Sequence, residues 1–479
     1  MSQTKRYAQV DLLNGPIFLS MLRFAVPVFF SSVFQQLYNT MDTVIVGHVL
    51  GDTSLAAIGA VTPVYDLLIG FALGLGNGLS IVTARSYGMS YGTGGRGGSG
   101  KSGAATSRPD KNPGGDGLLK RSVAVSMVIG AGISLFIMLL TRIALYPFLQ
   151  LLHTPEEIIG ESYSYISVIT LFTGVMFAYN LCAGVLQAVG NSFMPLLFLI
   201  FSSLVNIGLD FLFIARFGMG IQGAAVATVI SQAVSVVLCV LYILKRVSIL
   251  VPGKEHFKVD KALYKEMAAQ GFSMGFMHCL VSAGSAILQV GINGLGYLTI
   301  AGHTAARKLC QFCLMPFSAM ISAVNTFVSQ NYGAGEKARI RKAMKCAYLY
   351  NGCMTVGAVI VLLLFAPDMV RIISGSSEPV ILENGARYLR VVAPFFFVLG
   401  LINDTRTALQ AIGQKILPII SSIMELFGKI LFVAIFIPKF QYMAVIFCEP
   451  IIWCFMVLEL LAAFWLNPYI RVTKSNSAY

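Results

Sequence analysis

The sequence predicts an all-α polytopic membrane protein of about twelve transmembrane helices, in two six-helix lobes related by a pseudo-two-fold axis along the membrane normal. Three observations carry that reading: scarce charge, recurrent long apolar runs, and an internal repeat. Charged residues make up 11% of the 479-residue chain, hydrophobic residues 56%, and the mean hydropathy is +0.77. A soluble domain carries about 25% charged residues, so the apolar surplus needs an apolar solvent. A helix requires about 20 such residues to cross the hydrocarbon core. Runs of that kind lie at 17–48, 54–86, 121–147, 158–189, 194–216, 223–244, 266–291, 299–330, 346–366, 381–412, 416–437 and 443–466. In lipid the backbone must satisfy its own hydrogen bonds, which leaves helices or a closed barrel. No alternating pattern supports a barrel.

Charge predicts the orientation. With the N-terminus inside, the inner segments hold 22 Lys and Arg and the outer segments three, Arg216, Arg371 and Lys439. That asymmetry places both termini in the cytoplasm of a cell with a multi-pass plasma-membrane protein. It also accounts for the net charge of +13 without nucleic acid as a partner. Lys5 and Arg6 precede a first helix too long for a cleavable signal, and no small-residue cleavage site follows it.

The repeat is read from paired motifs. Tyr87-Gly88 and Tyr332-Gly333 lie 245 residues apart, as do Leu55-Ala56 and Ile300-Ala301. Leu186-Gln-Ala-Val-Gly190 and Leu409-Gln-Ala-Ile-Gly413 lie 223 apart, as do Tyr165 and Tyr388, Asn180 and Asn403, and Pro195 and Pro418. The shorter second spacing means that the first half carries an insertion, and residues 89–117, rich in Gly, Ser, Lys and Pro, read as a flexible cytoplasmic loop. The chain thus divides into an N-terminal lobe at 1–245, a cytoplasmic linker at 246–265, and a C-terminal lobe and tail at 266–479. An even number of helices per half gives both halves one topology, and such duplication is frequent where a cavity forms between repeats.

Several motifs drop out on context. Gly95 to Ser102 fits G-x-x-x-x-G-K-[ST], but no strand leads into it and prolines follow, so no nucleotide is expected. Cys310 and Cys313 sit on an apolar helix without a second pair, so packing is the better reading than metal.

Charges inside the membrane carry the chemistry, because an ionisable group in lipid faces a cavity or a partner. At 1.5 Å per residue, Asp42 on the first helix, Asp210 on the fifth and Thr228 on the sixth all fall roughly 8–9 Å below the outer surface. Asn206 sits one turn from Asp210 on the same face. Two carboxylates, an amide and a hydroxyl suit a proton, because close carboxylates repel, or a sodium ion, because the ligands are hard oxygens. The competing reading is a set of polar contacts between helices. The second half has Val433 in place of Asp210. It carries instead Glu425 and Lys429, spaced i to i+4, with Lys308 at similar depth, either a charge network with a function or an ion pair that neutralises itself. Asp66, Asp404 and Glu449 are acids without an evident partner.

Taken together, Tyr38-Asn-Thr-Met-Asp42-Thr-Val-Ile-Val-Gly47, Leu55-Ala-Ala-Ile-Gly59, Asn206-Ile-Gly-Leu-Asp210, Gly223-Ala-Ala-Val-Ala-Thr228 and Gln330-Asn-Tyr-Gly-Ala-Gly335 resemble the multidrug and toxic compound extrusion transporters. The Glu425/Lys429 pair is similar to the DinF-like prokaryotic branch. The resemblance implies export of organic cations, or other xenobiotics, in exchange for sodium ions or protons, with no cofactor beyond the coupling ion. It assigns the first-lobe ion site to positions matching Asp42, Asn206, Asp210 and Thr228, and a bend in the first helix to Pro27. A monomer in the bilayer is the expected state. Many relatives carry Arg and Asp after the fourth helix where this chain has Gln187 and Asn191, which puts the cytoplasmic gate in doubt. Two other readings compete: a lipid-linked oligosaccharide flippase, favoured by Arg307, Lys308 and Arg406, and an intramembrane aspartyl enzyme using Asp42 and Asp210. The second lacks the Gly-x-Gly-Asp sequence that such an enzyme needs.

Overall fold

The structure, a computed structural model, describes residues 9–92, 117–151, 155–258 and 260–471; within the second helix the side chains at 52, 55, 63, 64 and 66 also lie outside the description. Most of the 89–117 insertion, with its phosphate-loop look-alike, therefore lies outside the described residues, and so do Lys5, Arg6 and the side chain of Asp66.

The first lobe comprises α1 (Ile17–Leu50), α2 (Asp52–Tyr91), α3 (Gly117–Leu151), α4 (Glu156–Leu171), α5 (Thr173–Ala188), α6 (Phe193–Asp210) and α7 (Gly220–Arg246). The second comprises α8 (Lys261–Asn293), α9 (Tyr297–Gly333), α10 (Lys337–Ser374), α11 (Pro379–Val392), α12 (Phe396–Ala411), α13 (Ile416–Leu431), α14 (Ile437–Phe440) and α15 (Tyr442–Trp465). Among the described residues, eleven helical segments are long and apolar enough to span a membrane, and α4 with α5, bent by 48°, makes a twelfth when the pair is taken as one span. Side chains on the outward faces, such as Phe136, Ile143, Leu204, Leu349 and Leu364, are apolar and exposed, as expected where lipid is the solvent.

Hydropathy underestimates several helices because their ends leave the hydrocarbon. α10 begins at Lys337 rather than 346, and its basic first turns continue the helix into the interface. α8 begins at Lys261 rather than 266, where Asp260 caps it by accepting from the amides of Ala262 at 3.1 Å and Leu263 at 3.3 Å. Two spans read as single helices are interrupted. The α4–α5 bend sits where Thr170 and Thr173 return their hydroxyls to carbonyls of the preceding turn, which loosens the backbone ladder. Pro394 lies at the matching break between α11 and α12. α6 passes into a π-helical stretch at Phe211–Arg216, and α13 into another at Phe432–Phe436.

The repeat is visible in the element bounds. α4, α5 and α6 begin 223 residues before α11, α12 and α13, and α2 begins 245 residues before α9. The lobes meet where α2 runs along α8 and α9, and α1 along α9. One end of that seam carries the starts of α1, α3, α8 and α10 and the ends of α2, α7 and α9, together with most of the described Lys and Arg; it is the basic end. Here the two Tyr-Gly motifs cross. A Cβ on Gly88 would collide with the Gln330 carbonyl, and one on Gly333 with the Arg85 carbonyl. Only glycine lets the backbones come this close.

The crossing is held by reciprocal hydrogen bonds. Arg85 Nε donates to the carbonyl of Ala411 at 2.7 Å, and Gln330 Nε2 donates to that of Ala188, also at 2.7 Å. Gln330 stands 245 residues after Arg85 and Ala411 stands 223 after Ala188, so the two bonds are images of each other under the pseudo-two-fold axis. Arg85 also reaches the Gln410 carbonyl and pairs with Glu266 at 3.0 Å. Arg339 and Asn331 complete the closure by donating to the carbonyls of Leu12 and Gly15 ahead of α1. The far half of the seam is different: Gln35, Asn39, Thr40 and Thr43 on α1 and Thr304, Lys308 and Gln311 on α9 are exposed. Polar stripes of this kind face water rather than lipid, so the lobes are closed at the basic end and parted at the other.

Gly88→Val is expected to wedge the basic end open while leaving each lobe folded. A thiol-reactive probe should label Ala334→Cys at least several-fold faster in the Gly88→Val background. Equal labelling rates would mean that the crossing does not depend on glycine.

Candidate functional site

In the first lobe, α1, α6 and α7 bring their polar residues to one point. Asp42 is eight residues from the end of α1 and Thr228 eight residues into α7, about 12 Å from those ends. With its amide turned to suit its neighbours, Asn206 places its nitrogen 2.8 Å from Asp42 Oδ1 and 3.1 Å from Asp210 Oδ2. Asp42 lies within side-chain hydrogen-bonding reach of both Asp210 and Thr228. Asn206 and Asp210 are fully buried and Asp42 is half-buried, so the site opens along the α1 side. Thr228 donates its own hydrogen to the Ala224 carbonyl at 3.0 Å, which leaves its oxygen lone pairs for the site. Asp210 Oδ1 is buried with no hydrogen-bond partner.

This donor set fits a small cation or a proton. Two ionised carboxylates so close repel, and burial removes the water that would screen them. The planar amide of Asn206 can serve either state. Nitrogen forward, it bridges the carboxylates; oxygen forward, it adds a hard ligand to a cation held between them.

The second lobe builds something different. Lys429 Nζ lies 3.0 Å from Glu425 and 3.4 Å from Glu449. Glu449 also accepts from Arg307 at 2.8 Å and from the Tyr388 hydroxyl at 3.2 Å. Arg406 donates from Nε to Ser421 at 3.0 Å and lies 3.9 Å from Glu425. Five charges from four helices thus form one chain, and Lys429 at its centre is only 1% exposed.

A family model described as MatE matches residues 27–90, 116–212 and 274–435, more than half of the sequence and parts of both lobes. The chain belongs to the MatE family. It is a multi-pass membrane transporter of small molecules and not an enzyme, which sets aside the aspartyl-enzyme reading. The probable multidrug resistance protein YoeA of Bacillus subtilis is 25% identical over 86% of this chain and 85% of its own. The multidrug export protein MepA of Staphylococcus saprophyticus is 22% identical over 94% of this chain and 92% of its own. A solved multidrug resistance MATE transporter of the MOP superfamily, described as outward-facing, superposes with a TM-score of 0.83 at 22% identity, covering 98% of this chain and 100% of that one. The two-lobed, twelve-span MatE fold is therefore shared along nearly the whole length.

Against this MatE frame, the four first-lobe residues meet as their depths suggested, and Glu425 and Lys429 pair. Lys308 does not join them. It is exposed, because one residue along a helix turns the side chain by about 100°, and its neighbour Arg307 occupies the network instead. Glu449 completes the network, and Asp404 accepts from Asn351 at 2.8 Å between α12 and α10. Pro27 lies inside an unbroken α1. Near it Ser31 and Ser32 return their hydroxyls to the carbonyls of Pro27 and Val28. Sequence reasoning passed over Tyr38 and Tyr165, whose hydroxyls flank the aspartates closely enough to interact with them. The signals were available: Tyr38 is one turn before Asp42, and Tyr165 is the repeat mate of Tyr388, which borders the second-lobe network. Gln187 and Asn191 leave the closure of the basic end to Arg85, Gln330, Asn331 and Arg339.

Glu449 is the hinge of the charge chain, so it and Glu425 should respond differently to neutralisation. Glu425→Gln with Lys429→Met removes a pair and leaves Glu449 held by Arg307; this double variant should fold. Glu449→Gln leaves Arg307 without its carboxylate and Lys429 with only one, and should destabilise by about 3–5 kcal/mol, the range for breaking a buried pair. Thermal unfolding of both purified proteins checks the order.

Proposed function

We propose that this MatE protein is a secondary multidrug exporter of the plasma membrane, exchanging organic cations or related xenobiotics for sodium ions or protons. The observation that carries the proposal is the Asp42–Asn206–Asp210–Thr228 cluster, buried on one side and open toward the parted end of the seam. In this reading the basic end is cytoplasmic, both termini lie inside, and the state described is outward-open, with the ion site exposed to the outside.

The coupling follows from where the ligands are mounted. Asp42 belongs to α1, which packs on α6 of its own lobe and on α9 of the other. A cation or proton that neutralises Asp42 and Asp210 removes the repulsion between α1 and α6 and lets the site close. The basic half of α1 is tied down by Ser192, which donates to the Phe24 carbonyl at 2.9 Å. Motion is then left to the half beyond Pro27. Proline removes one rung of the helix ladder, so Pro27 is the natural hinge between the anchored and the ion-binding halves. An exchanger is driven only by an ion whose affinity differs between its two states, and the mounting of Asp42 on α1, apart from its partners on α6 and α7, supports such a difference. Against a flippase, Glu425 and Glu449 offset the basic residues and Lys308 stands apart from them.

The test is gradient-driven export from liposomes holding the purified protein, with sodium and proton gradients imposed separately. Asp42→Asn and Asp210→Asn should insert normally yet lose at least about 90% of coupled export. Asn206→Ala should be intermediate and Thr228→Ala mildest, since a neutral ligand carries no charge. Wild-type rates in both aspartate variants would return these charges to a structural role.

A further inference from the structure

The repeat places unlike chemistry at like positions. Counting 223 residues on from Asn206 and Ser202 gives Lys429 and Glu425, while Asp210 becomes Val433. Tyr165 beside the first-lobe aspartates becomes Tyr388 beside Arg307 and Glu449. Both helices that carry these residues pass into a π-helical stretch just beyond them, a distortion that recurs at functional sites. The second lobe thus places Lys429 and Glu425 where the first has neutral side chains, and lacks the carboxylate of Asp210.

The cations line a cavity of about 210 Å³. Its wall carries Arg307, Arg406 and Lys429 against Glu425 and Glu449, the polar side chains of Ser285 and Asn403, and a majority of apolar and aromatic side chains that include Trp453. The wall charges sum to one net positive. Arg406 supplies the decisive detail. Its side chain is 7% exposed, its Nε is spent on Ser421, and its Nη2 has no hydrogen-bond partner. Glu425, at 3.9 Å, is beyond hydrogen-bond reach. Glu459 acts on Arg406 electrostatically, yet it is no part of the wall and leaves Nη2 unbonded. A buried guanidinium donor without an acceptor is costly. Arg307, at the same cavity, keeps 41% of its side chain exposed while its Nη1 is held by Glu449 and Tyr388.

We propose that this cavity in the second lobe is a binding site for the carboxylate of a small organic monoanion with an apolar body. A carboxylate accepts from the fork of a guanidinium and would take the idle Nη2 donor of Arg406. One negative charge balances the wall, whereas a dianion would overcharge it. The apolar side chains that make up most of the remaining wall suit an aryl or alkyl body. The site is separate from the proposed coupling site in the first lobe and does not depend on it. It adds organic acids, and molecules carrying both an acid and an amine, to the ligands this protein accepts.

Trp453 makes the site self-reporting, since the chain has two tryptophans and Trp465→Phe leaves only the one in the wall. The purified full chain carrying that substitution is titrated with 4-nitrobenzoate and, in parallel, with 4-nitrobenzamide, its neutral counterpart. The acid should quench Trp453 saturably and at least about tenfold more tightly than the amide, the scale of a hydrogen bond to a charged group. Arg406→Met should abolish that preference, and Arg406→Lys, which keeps the charge and loses the fork, should retain part of it. Equal affinity for acid and amide overturns the proposal, and so does unchanged affinity in Arg406→Met. Displacement of 4-nitrobenzoate by inorganic phosphate at equal concentration also overturns it, because the site would then hold any anion. If Arg406→Met does not fold, the acid-amide comparison and the phosphate competition decide alone.

Discussion

The architecture depends on one crossing, where the ends of α2 and α9 pass at glycine-limited distance. Gly88 and Gly333 remove the side chains that would hold the lobes apart, and Arg85 and Gln330 then reach across to carbonyls of the opposite lobe. Within a bilayer apolar surface drives helices together only weakly, so close backbone packing and interhelical hydrogen bonds hold the contact. The seam is strong at one end for that reason. Its other half, lined with polar residues, stays wet.

Closure at one end leaves the Asp42, Asn206, Asp210 and Thr228 cluster nearer the other end, on helices that differ in their contacts. α6 and α7 belong wholly to the first lobe, but α1 touches both. A charge change at Asp42 is therefore felt at the seam. The duplicated scaffold has meanwhile diverged inside each lobe. One holds excess carboxylates and the other a chain of cations and carboxylates; α6 and α13, which carry part of each, are matching helices that pass into matching π-helical stretches. The symmetric frame therefore encloses interiors of unlike charge.

Much of this was legible in the sequence. The spans follow from the cost of exposing backbone and charge to lipid, and the repeat follows from two constant spacings. The first-lobe site was legible because an aspartate in a membrane helix needs a partner, and rise per residue puts three helices at one depth. The second-lobe network was only half legible. The pair Glu425 and Lys429 shares one helix, so local spacing reveals it. Glu449, Arg307 and Arg406 come from three other helices, and depth alone could not tell Arg307 from Lys308, which differ by rotation.

Sequence by itself determined what the solvent dictates: helices of sufficient length, charge gathered at one end, two halves of one topology, and the acidic set of the first lobe. Tertiary structure decided what depends on rotation and close approach. It turned Arg307 inward and Lys308 outward, and it carried the Tyr-Gly motifs into contact with each other. It also joined Arg85 to Ala411 and Gln330 to Ala188, bonds between residues more than a hundred positions apart. Spacing along a chain reports what lies on one helix. Which helices meet, and through which faces, is settled only when small residues let two backbones close on each other.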